Sequence, residues 1–469
     1  GRTLFGAMPP KGQELDDHYF GTIRQRIAAF MRDVNVELWK VGVTSKTQHN
    51  EGAPAQHELA PIYAKANVAV DHNHLVMQTM KRVAGQHGMK CLFHEKPFAG
   101  VNGSGKHNNW SLTTDDGKNL LDPGKTPHEN IQFLLVLTCI LKAVDEHADL
   151  LRESASDPGN DHRLGANEAP PAIISIFVGE ELEAIIESIA SGADYIAPAK
   201  TRMELGVDIL PTFSKDTTDR NRTSPFAFTG NKFEFRMLGS SASVATPNII
   251  LNTAVAEALA QFSRELSGTA PKDMEHAVHE LIKRAIKKHK KVIFNGNGYT
   301  EEWVAEAEKR GLYNLASTPD CLPQILAEKN VELFTRHHIF TREELASRYE
   351  IFLENYVKTV AIEAKTLREM LAKDFLPAVS RYASSVSGEA LSMKTFVPDL
   401  STDSARKLVS FLGASYETIA GALDLLDQEI LALDEKTSLP EAADYCRKTI
   451  LATMEELRSA ADQAEAKIP

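Results

Sequence analysis

The chain has 469 residues, a formal net charge of −12 and 43% apolar residues. This length predicts about three domains, or one large domain with extensions, and the composition excludes disordered and fibrous proteins. General nucleic-acid binding needs a clustered basic surface, so an acidic chain favours small-molecule chemistry instead.

The sequence also bears on the cellular compartment. The longest apolar stretch, residues 133–141, is far shorter than the ~20 residues that a membrane-spanning helix needs. No secretory signal opens the chain, and its 4 cysteines are dispersed without a CxxC pair, which argues against a disulfide framework or a cysteine-type zinc site. These features predict a cytoplasmic protein. Because the chain starts at Gly1 rather than methionine, we also expect a fragment or a processed product.

The predicted elements of the first part mix strands and helices. Apolar residues that alternate with polar ones indicate strands, whereas apolar residues spaced by three and four indicate helices. The predicted strands cover residues 36–43, 56–64, 90–94 and 107–113. The predicted helices cover residues 67–88 and 126–155, the second capped by Thr126, and a polar loop covers residues 153–171.

Beyond about residue 248 the sequence has a helical period. One apolar stripe runs from Leu345 to Leu371, a second runs from Leu408 to Leu433, and a third helix covers about residues 440–464. Such stripes could seat a cofactor, but packing of a helical bundle against itself or a partner subunit is the favoured interpretation. The basic run at residues 283–291 is interpreted as a helix C-terminus, where lysine suits the macrodipole.

The first motif that could carry chemistry is QHNEGAPAQHE, which contains Glu51 and Glu58. A turn at Gly52 and Pro54 between two extended segments lets the two carboxylates converge, whereas one unbroken strand would point them to opposite faces. Converging carboxylates favour a divalent cation, because the cation neutralises their mutual repulsion. Solvated surface glutamates are the alternative for this motif taken alone.

The second motif, NGSGKHNNWS, places a glycine-containing turn before a predicted strand. If the strand starts at His107, then His107, Asn109 and Ser111 share one face. Because glycine lets the backbone approach a ligand closely, the pattern suits a cleft for a nucleotide and a metal. An ordinary turn followed by a hydrogen-bonded histidine is the alternative.

Two further motifs combine acids with basic residues. The segments DHRLGANEAPP and DRNRTSPFAFTGNKFEFR contain Arg163, Glu168, Arg222, Lys232, Glu234 and Arg236. Glu234 and Arg236 are two apart in a strand pattern, so they face the same side and offer a carboxylate to a metal and a guanidinium to an anion. A surface ladder of salt bridges would have the same pattern.

Together these segments predict one site with acids, a histidine and several arginines. Carboxylates and imidazole without thiolates suit Mg2+ or Mn2+ better than structural zinc. Arginines beside such ions would hold phosphate and carboxylate groups and neutralise charge that builds up during phosphoryl transfer. The residues by themselves predict metal-dependent phosphoryl transfer or ligation on an anionic substrate.

The ordered motifs HNEGAPAQHE, KPFAGVNGSGKH, RLGANEAP, NRTSP and FEFR resemble the catalytic domain of glutamine synthetase. The spelling of the motifs, the insertion between Pro171 and Asn221 and the long helical tail are similar to the type III branch. The resemblance implies an α+β fold, with an antiparallel sheet in a catalytic domain over residues 1–270 and an all-helical C-terminal region over residues 271–469. It also implies ligation of L-glutamate and ammonium to L-glutamine through γ-glutamyl phosphate, with ATP as co-substrate, Mg2+ or Mn2+ as cofactor, and a homo-oligomeric ring.

The resemblance implies metal and substrate ligands. Glu51 and Glu58 would bind one ion, and His107 and Glu234 would bind a second ion. The motifs that meet glutamate or the acyl phosphate in the family correspond here to Asn102, Gly103, Arg163 and Arg236.

The resemblance further implies residues for the nucleotide and the intermediate. Asn109, Ser111 and Lys232 lie where the family meets ATP, and Arg222 would neutralise the transferred phosphoryl group. Glu168 would lie on a flap that shields the intermediate from water and would help to receive a proton from ammonium.

Two departures from the family pattern matter. Ala227 stands where many relatives carry an arginine, so part of the phosphate neutralisation would come from elsewhere, for example from Lys232. Further metal-binding glutamates of the family lie on an upstream strand, and an N-terminal β domain supplies an ammonium-binding aspartate to the neighbouring subunit. We therefore expect the chain to be the C-terminal portion of a synthetase, with an incomplete metal site.

Two alternatives stay open. Relatives with the same fold γ-glutamylate amines or polyamines, and the amine pocket cannot be identified from the sequence. A non-catalytic structural homologue would be expected to have lost the acids and arginines, which are present in this chain.

Overall fold

The computed structural model describes residues 11–167, 169–193, 195, 202–203, 213–214 and 223–469. Glu168 and Arg222 lie outside the described residues. The chain forms two compact units, one of Leu15–Ala346 and one of Ser347–Pro469 with residues 11–14. The domain boundary between residues 270 and 271 stays a prediction. None of the helices in the described part of the chain combines the length and the apolar character that a membrane crossing requires.

The larger unit is built from helices and short strands. Its helices are α1 (Gln25–Trp39), α2 (Ala66–Gln86), α3 (Ile131–Glu146), α4 (Ala148–Glu153), α5 (Pro158–Asp161), α6 (Glu180–Ser191), α7 (Ala245–Leu266), α8 (Met274–His289), α9 (Glu301–Lys309), α10 (Thr318–Cys321) and α11 (Glu328–Arg336). Its strands are β1 (Ser45–Asn50), β2 (His57–Pro61), β3 (Asn108–Trp110), β4 (Ile176–Phe177), β5 (Arg202–Met203), β6 (Phe213–Ser214), β7 (Phe226–Phe228) and β8 (Phe233–Phe235).

The central sheet has the strand order β3-β8-β7-β4. Strands β3, β8 and β7 are antiparallel, as predicted, whereas β4 adds a parallel pair with β7. Strands β1 and β2 form a separate antiparallel hairpin, and β5 pairs with β6. The α+β class is therefore confirmed.

Phenylalanines fix which face of the central sheet is buried. Phe226 and Phe233 stack with their ring centroids 4.5 Å apart, and Phe228 contacts Phe133 of α3 with the centroids 5.9 Å apart. Since side chains alternate along a strand, burial of these rings turns the intervening Glu234 to the opposite face. The aromatic packing thus sets the register that presents Glu234.

Three predicted elements need correction. The predicted strand at residues 36–43 is wrong, because α1 continues to Trp39 and buries Phe30, Val34 and Leu38 at a spacing of four. The predicted strand at residues 90–94 is irregular backbone. The predicted helix 126–155 begins only at Ile131.

The late start of that helix has a local cause. The Asn130 side chain accepts a hydrogen bond from the Phe133 N–H, which makes Asn130 the N-cap in place of Thr126. The helix also breaks at His147, where α3 gives way to α4. Helix α3 is buried along most of its length and packs against α7 and α8, so it forms the centre of the larger unit.

The second unit is helical, as predicted. Helix α12 (Arg342–Met370) leads into it, followed by α13 (Leu376–Phe396), α14 (Asp403–Asp434), α15 (Leu439–Tyr445) and α16 (Leu451–Glu465). The α14 stripe packs as predicted, with Leu412, Ile419, Leu423, Leu426, Ile430 and Leu433 buried. Helix α14 contacts α13 and α16, which supports the bundle interpretation of the stripes.

Two short π-helical segments, Leu371–Phe375 and Cys446–Ile450, interrupt these helices. In the first, the Leu376 N–H donates to the Leu371 carbonyl, five residues back. The next residue, Pro377, has no N–H and cannot donate the hydrogen bond of an ordinary α-helical turn. The π-helical turn therefore lies directly before a residue that would interrupt the α-helical hydrogen bonding.

A buried carboxylate ties α7 to the end of α11. Glu257 accepts hydrogen bonds from Arg336 Nη1 at 2.6 Å and His337 Nε2 at 2.8 Å. Burial acts to raise the pKa of Glu257, but hydrogen bonds from Gln261, His337 and Arg336 outweigh it and lower this pKa from 4.5 to about 2. Because folding lowers the pKa of Glu257, ionised Glu257 stabilises the folded state at pH values above 4.5, the pKa of the unfolded chain. This stabilisation is lost as the pH falls from 4.5 to about 2.

We expect Glu257→Gln to lower the free energy of unfolding by roughly 2–3 kcal/mol at neutral pH, since it removes the charge that pairs with Arg336. This difference from the wild type should shrink as the pH falls below about 5. Urea denaturation of both proteins at several pH values measures it. A difference that stays constant with pH would contradict the assignment.

Candidate active site

The β1–β2 hairpin brings three metal-binding side chains together. His49 and Glu58 are cross-strand partners, and Glu51 directly follows β1, where its N–H donates to the Gln56 carbonyl at 2.9 Å. His49 Nε2 lies 3.1 Å from Glu51 Oε1 and 3.9 Å from Glu58 Oε2. The predicted convergence of Glu51 and Glu58 is therefore observed, and their binding of a metal stays a prediction.

His49 was not predicted as a member of this cluster. Its potential ligand atom and those of the two glutamates all lie within 4.8 Å of one another. The Nδ1 atom of His49 is buried without a hydrogen-bond partner among the described residues, which leaves Nε2 to face the carboxylates. An imidazole with two carboxylates fits Mg2+ or Mn2+. The signal in the sequence was the spacing H-x-E at the end of a strand.

A second cluster lies where β3 and β8 pair. His107 precedes β3, and its Nδ1 lies 3.1 Å from Glu234 Oε1 in β8. Glu234 Oε2 lies 4.0 Å from Arg236 Nε, so Glu234 and Arg236 face the same side, as predicted. Across the described part of the chain, His49, Glu51 and Glu58 form the only group of three or more close metal-binding side chains. His107 and Glu234 therefore offer a pair of ligands.

The face of β3 that carries His107 is the predicted one. Asn109 is exposed, whereas Asn108 and Trp110 are buried on the other face. Asn108 Nδ2 donates to Asn248 Oδ1 at 3.0 Å, and Trp110 Nε1 donates to Asn252 Oδ1 at 2.9 Å. These bonds fasten the back of the strand to α7, so the front stays turned toward the site.

The three residues assigned to ATP lie along the paired strands β3 and β8. Asn109 is the cross-strand partner of Glu234, and Ser111 Oγ donates to Asn119 Oδ1 at 2.9 Å. Lys232 closes the turn between β7 and β8, where its carbonyl accepts from the Thr229 N–H at 2.8 Å. This placement is compatible with one elongated ligand, and the nucleotide contacts stay predictions.

The glycine-containing loop NGSG connects the two clusters. Gln56 Nε2 donates to the Gly103 carbonyl at 3.0 Å, which joins the loop to the hairpin turn. A Cβ at Gly52 would lie 2.4 Å from Asn102 Nδ2, and a Cβ at Gly105 would lie 2.1 Å from Arg163 Nη2. Side chains at these positions would displace Asn102 or Arg163, so the glycines create the room that both residues need.

Arg163 is held below the loop as a buried cation. It is 5% exposed, and its guanidinium donates to the carbonyls of Met237 and Arg236, each at 3.3 Å. Burial lowers the pKa of Arg163 to about 10, against the opposing influence of Glu95. The side chain is therefore charged at neutral pH. Arg163 and Arg236 are two buried guanidiniums close to the loop, a chemistry that suits an anion.

Three residues of the predicted site need separate mention. Glu168 and Arg222 lie outside the described residues, so their roles stay predictions. Ala227 lies in β7, where it is 1% exposed and is the cross-strand partner of Glu234. The position at which the family resemblance leads us to expect an arginine thus adjoins Glu234 on the sheet.

The arrangement joins two kinds of chemistry. The carboxylates and imidazoles could hold divalent cations, and the buried guanidiniums beside them could bind carboxylate or phosphate groups. Around the buried guanidiniums of Arg163 and Arg236 electrostatic interactions are stronger than in water, because the local dielectric constant is low. These properties suit transfer of a phosphoryl group to a carboxylate.

Comparison with known families gives two matches. The model of the glutamine synthetase catalytic domain matches residues 9–151, and that of the glutamine synthetase C-terminal domain matches residues 277–394.

Similar proteins cover the whole chain. It is 49% identical to a glutamine synthetase of Butyrivibrio fibrisolvens, over 100% of this chain and 67% of the relative. It is 48% identical to the type-3 glutamine synthetase of Dictyostelium discoideum, over 99% of this chain and 64% of the relative. It is 40% identical to a glutamine synthetase of Bacteroides fragilis, over 100% of this chain and 65% of the relative. The chain thus spans about two thirds of the length of these relatives.

A solved structure, that of Plasmodium falciparum glutamine synthetase, aligns with a TM-score of 0.38 and 14% identity, over 62% of this chain and 60% of that chain.

Removal of one carboxylate should weaken binding of Mn2+ to the hairpin cluster. We expect Glu51→Gln and Glu58→Gln each to lower the affinity by at least about tenfold, because each removes a charged oxygen ligand. Isothermal titration calorimetry with Mn2+ measures the change. Glu280→Gln removes an equal charge from an exposed position of α8 and should leave the affinity unchanged. Equal affinities of all the variants would refute the cluster as a metal site.

Proposed function

The chain belongs to the glutamine synthetase family, and on this premise we propose that it is a member of the type III branch and that the intact protein forms L-glutamine from L-glutamate, ammonium and ATP. The observation that carries the proposal is the placement of the loop NGSG between a carboxylate–imidazole cluster and the buried Arg163. A site for a metal-bound nucleotide and a site for an anionic substrate would then be neighbours.

Two chemical steps account for the reaction. An oxygen of the glutamate γ-carboxylate attacks the γ-phosphorus of ATP, which forms γ-glutamyl phosphate and breaks the bond to the leaving ADP. Ammonia then attacks the γ-carbonyl carbon, phosphate leaves, and the proton lost from ammonium passes to a base. We assign that proton to Glu168, and neutralisation of the transferred phosphoryl group to Arg222.

The described residues would bind and orient the reactants. Arg163 and Arg236 would hold the carboxylate or the acyl phosphate, and Asn102 and Gly103 would line the glutamate. Divalent cations, when bound, would polarise the phosphates and align them for transfer. His49 joins Glu51 and Glu58 as a proposed ligand, because its Nε2 lies between their carboxylates.

The remaining parts of the proposal concern ATP contacts, assembly and organisation. Asn109, Ser111 and Lys232 would contact ATP along β3 and β8.

A homo-oligomeric ring in the cytoplasm is proposed, and the large apolar residues exposed on the larger unit, such as Phe20 at 82% and Tyr63 at 96%, suit burial against a neighbouring subunit. We also propose the division into a catalytic portion, residues 1–270, and a helical region, residues 271–469.

We expect Glu234→Ala in the intact protein to lower the rate of glutamine formation by at least about 100-fold, because the substitution removes a proposed metal ligand that also adjoins Arg236. Formation of glutamine and ADP from glutamate, ammonium and ATP is measured directly. Glu280→Gln is the control with an equal loss of charge at an exposed position of α8. Unchanged synthesis in Glu234→Ala would refute the role assigned to Glu234. A wild-type protein that forms no glutamine would refute the proposed function, and a preference for methylamine or polyamines over ammonium would instead favour an amine ligase.

We expect Gly105→Ala to raise the KM for glutamate, because the added methyl group would overlap the buried Arg163 guanidinium, 2.1 Å away. The loss in kcat/KM should be about tenfold or more, as is common for a small displacement of a binding group. Gly421→Ala, in α14, meets nothing within 4 Å and is the matched control. An unchanged KM for glutamate in Gly105→Ala would contradict the role of Arg163.

A further inference from the structure

A buried carboxylate outside the predicted site lies behind the glycine loop. Glu95 is 2% exposed, and its side-chain Oε1 accepts a hydrogen bond from the Ser241 N–H at 2.6 Å. The Ser241 hydroxyl donates to the same oxygen. Burial acts to raise the pKa of Glu95, but these bonds to Ser241 outweigh it and lower the pKa below its usual value. The side chain is therefore an anion at neutral pH.

The backbone of Glu95 holds the loop itself. Its carbonyl accepts a hydrogen bond from the Ser104 N–H at 2.7 Å. A Cβ at Gly103 would lie 2.2 Å from this carbonyl oxygen, so the loop fits against Glu95 only because Gly103 has no side chain. Gly103, which we propose contacts glutamate, is therefore packed directly against Glu95.

The side chain of Glu95 is wedged between two further segments that carry site residues. A Cβ at Gly159, in α5, would lie 3.0 Å from Glu95 Oε2, and a Cβ at Gly239, just after β8, would lie 3.1 Å from Glu95 Cγ. The first segment leads into Arg163, and the second directly follows Arg236 and Met237. Glu95 therefore contacts all three segments that form the anion-binding side of the site.

The charge of Glu95 compensates the cations of this region. It counteracts the lowering of the pKa of Arg163 and of Lys106 by burial. Arg163 donates no hydrogen bond to a carboxylate among the interactions of the described residues, since its donors meet carbonyl and amide oxygens. The charge of Glu95 therefore stabilises the charged form of Arg163, although the Arg163 N–H groups donate to other oxygens.

We infer that Glu95 is a positioning residue, which fixes the glycine loop and the Arg163 guanidinium for binding of the anionic substrate. The inference rests on the proposed function, because it takes glutamate or its acyl phosphate as that substrate. Glu95 acts through Gly103 and Arg163, and no direct contact with the reacting atoms is assigned to it.

Two variants separate the charge of Glu95 from its hydrogen bonds. Glu95→Gln keeps the length and the acceptor oxygen for Ser241 but removes the charge, whereas Glu95→Ala removes both. Glu257→Gln is the matched control, because it neutralises another buried carboxylate that pairs with an arginine and a histidine away from the site.

We expect kcat/KM for glutamate to fall about tenfold in Glu95→Gln and about 100-fold in Glu95→Ala, through a raised KM for glutamate with an unchanged KM for ATP. Steady-state kinetics of the intact protein measures these constants. Wild-type constants in Glu95→Gln would overturn the inference. Equal increases of the two KM values, or the same loss in Glu257→Gln, would also overturn it, because they would indicate general destabilisation.

Hydrogen exchange gives a readout that does not depend on catalysis. In Glu95→Ala we expect faster exchange of the Ser241 amide, which loses its side-chain acceptor, and of the Ser104 amide, whose acceptor is the Glu95 backbone carbonyl that the side chain no longer holds in place. In Glu95→Gln we expect exchange close to that of the wild type. Unchanged exchange in Glu95→Ala would overturn the inference even if the wild-type protein made no glutamine. A wild type without synthetase activity but with the expected exchange pattern would refute the proposed function and retain the structural role of Glu95.

Discussion

The candidate site depends on how closely the backbone of the loop NGSG approaches its surroundings. Gly52, Gly103 and Gly105 adjoin Asn102, the Glu95 carbonyl and the Arg163 guanidinium, and at each of them a Cβ would lie within 2.4 Å of another atom. Absence of three side chains thus allows the hairpin turn, the loop and the buried arginine to meet. None of these three glycines has a positive φ angle, so backbone conformation does not require glycine at these positions. Here glycine provides space.

Charge balance is the second constraint on this region. Two guanidiniums, Arg163 and Arg236, are 5% and 4% exposed, and the carboxylates of Glu95 and Glu234 are 2% and 5% exposed. Burial of isolated charges would be costly, so opposite charges have to be buried together. The two acids have different surroundings. Glu234 lies beside His107 on the face of the sheet, whereas Glu95 bonds to Ser241 behind the loop. One carboxylate thus lies on the face that we propose for ligand binding, and the other is hydrogen-bonded within the protein framework.

Patterns within one segment predicted much of the site. The turn between Glu51 and Glu58, the shared face of Glu234 and Arg236, and the outward face of Asn109 all follow from spacing along strands. Apolar residues spaced by three and four share one face of a helix, and this spacing predicted the helical unit. Residues 36–43 were mistaken for a strand because Val36 and Leu38, and then Val41 and Val43, stand two apart in the sequence. In α1, however, Leu38 is buried and Val36 is exposed. The support given by Glu95 was not predictable, since Ser241 lies 146 residues further along the chain. His49 was within reach, as its cross-strand pairing with Glu58 follows once the turn is placed.

The π-helical segment Leu371–Phe375 affects how sequences can be aligned through the helical unit. A hydrogen bond that spans five residues makes room for one residue more than an ordinary α-helical turn. One additional residue turns every later side chain by about 100° around the helix axis. A single periodic stripe therefore cannot describe both α12 and α13, and their apolar positions have different phases. An alignment without a gap at this turn would pair core positions of one protein with surface positions of another wherever a homologue keeps a regular helix.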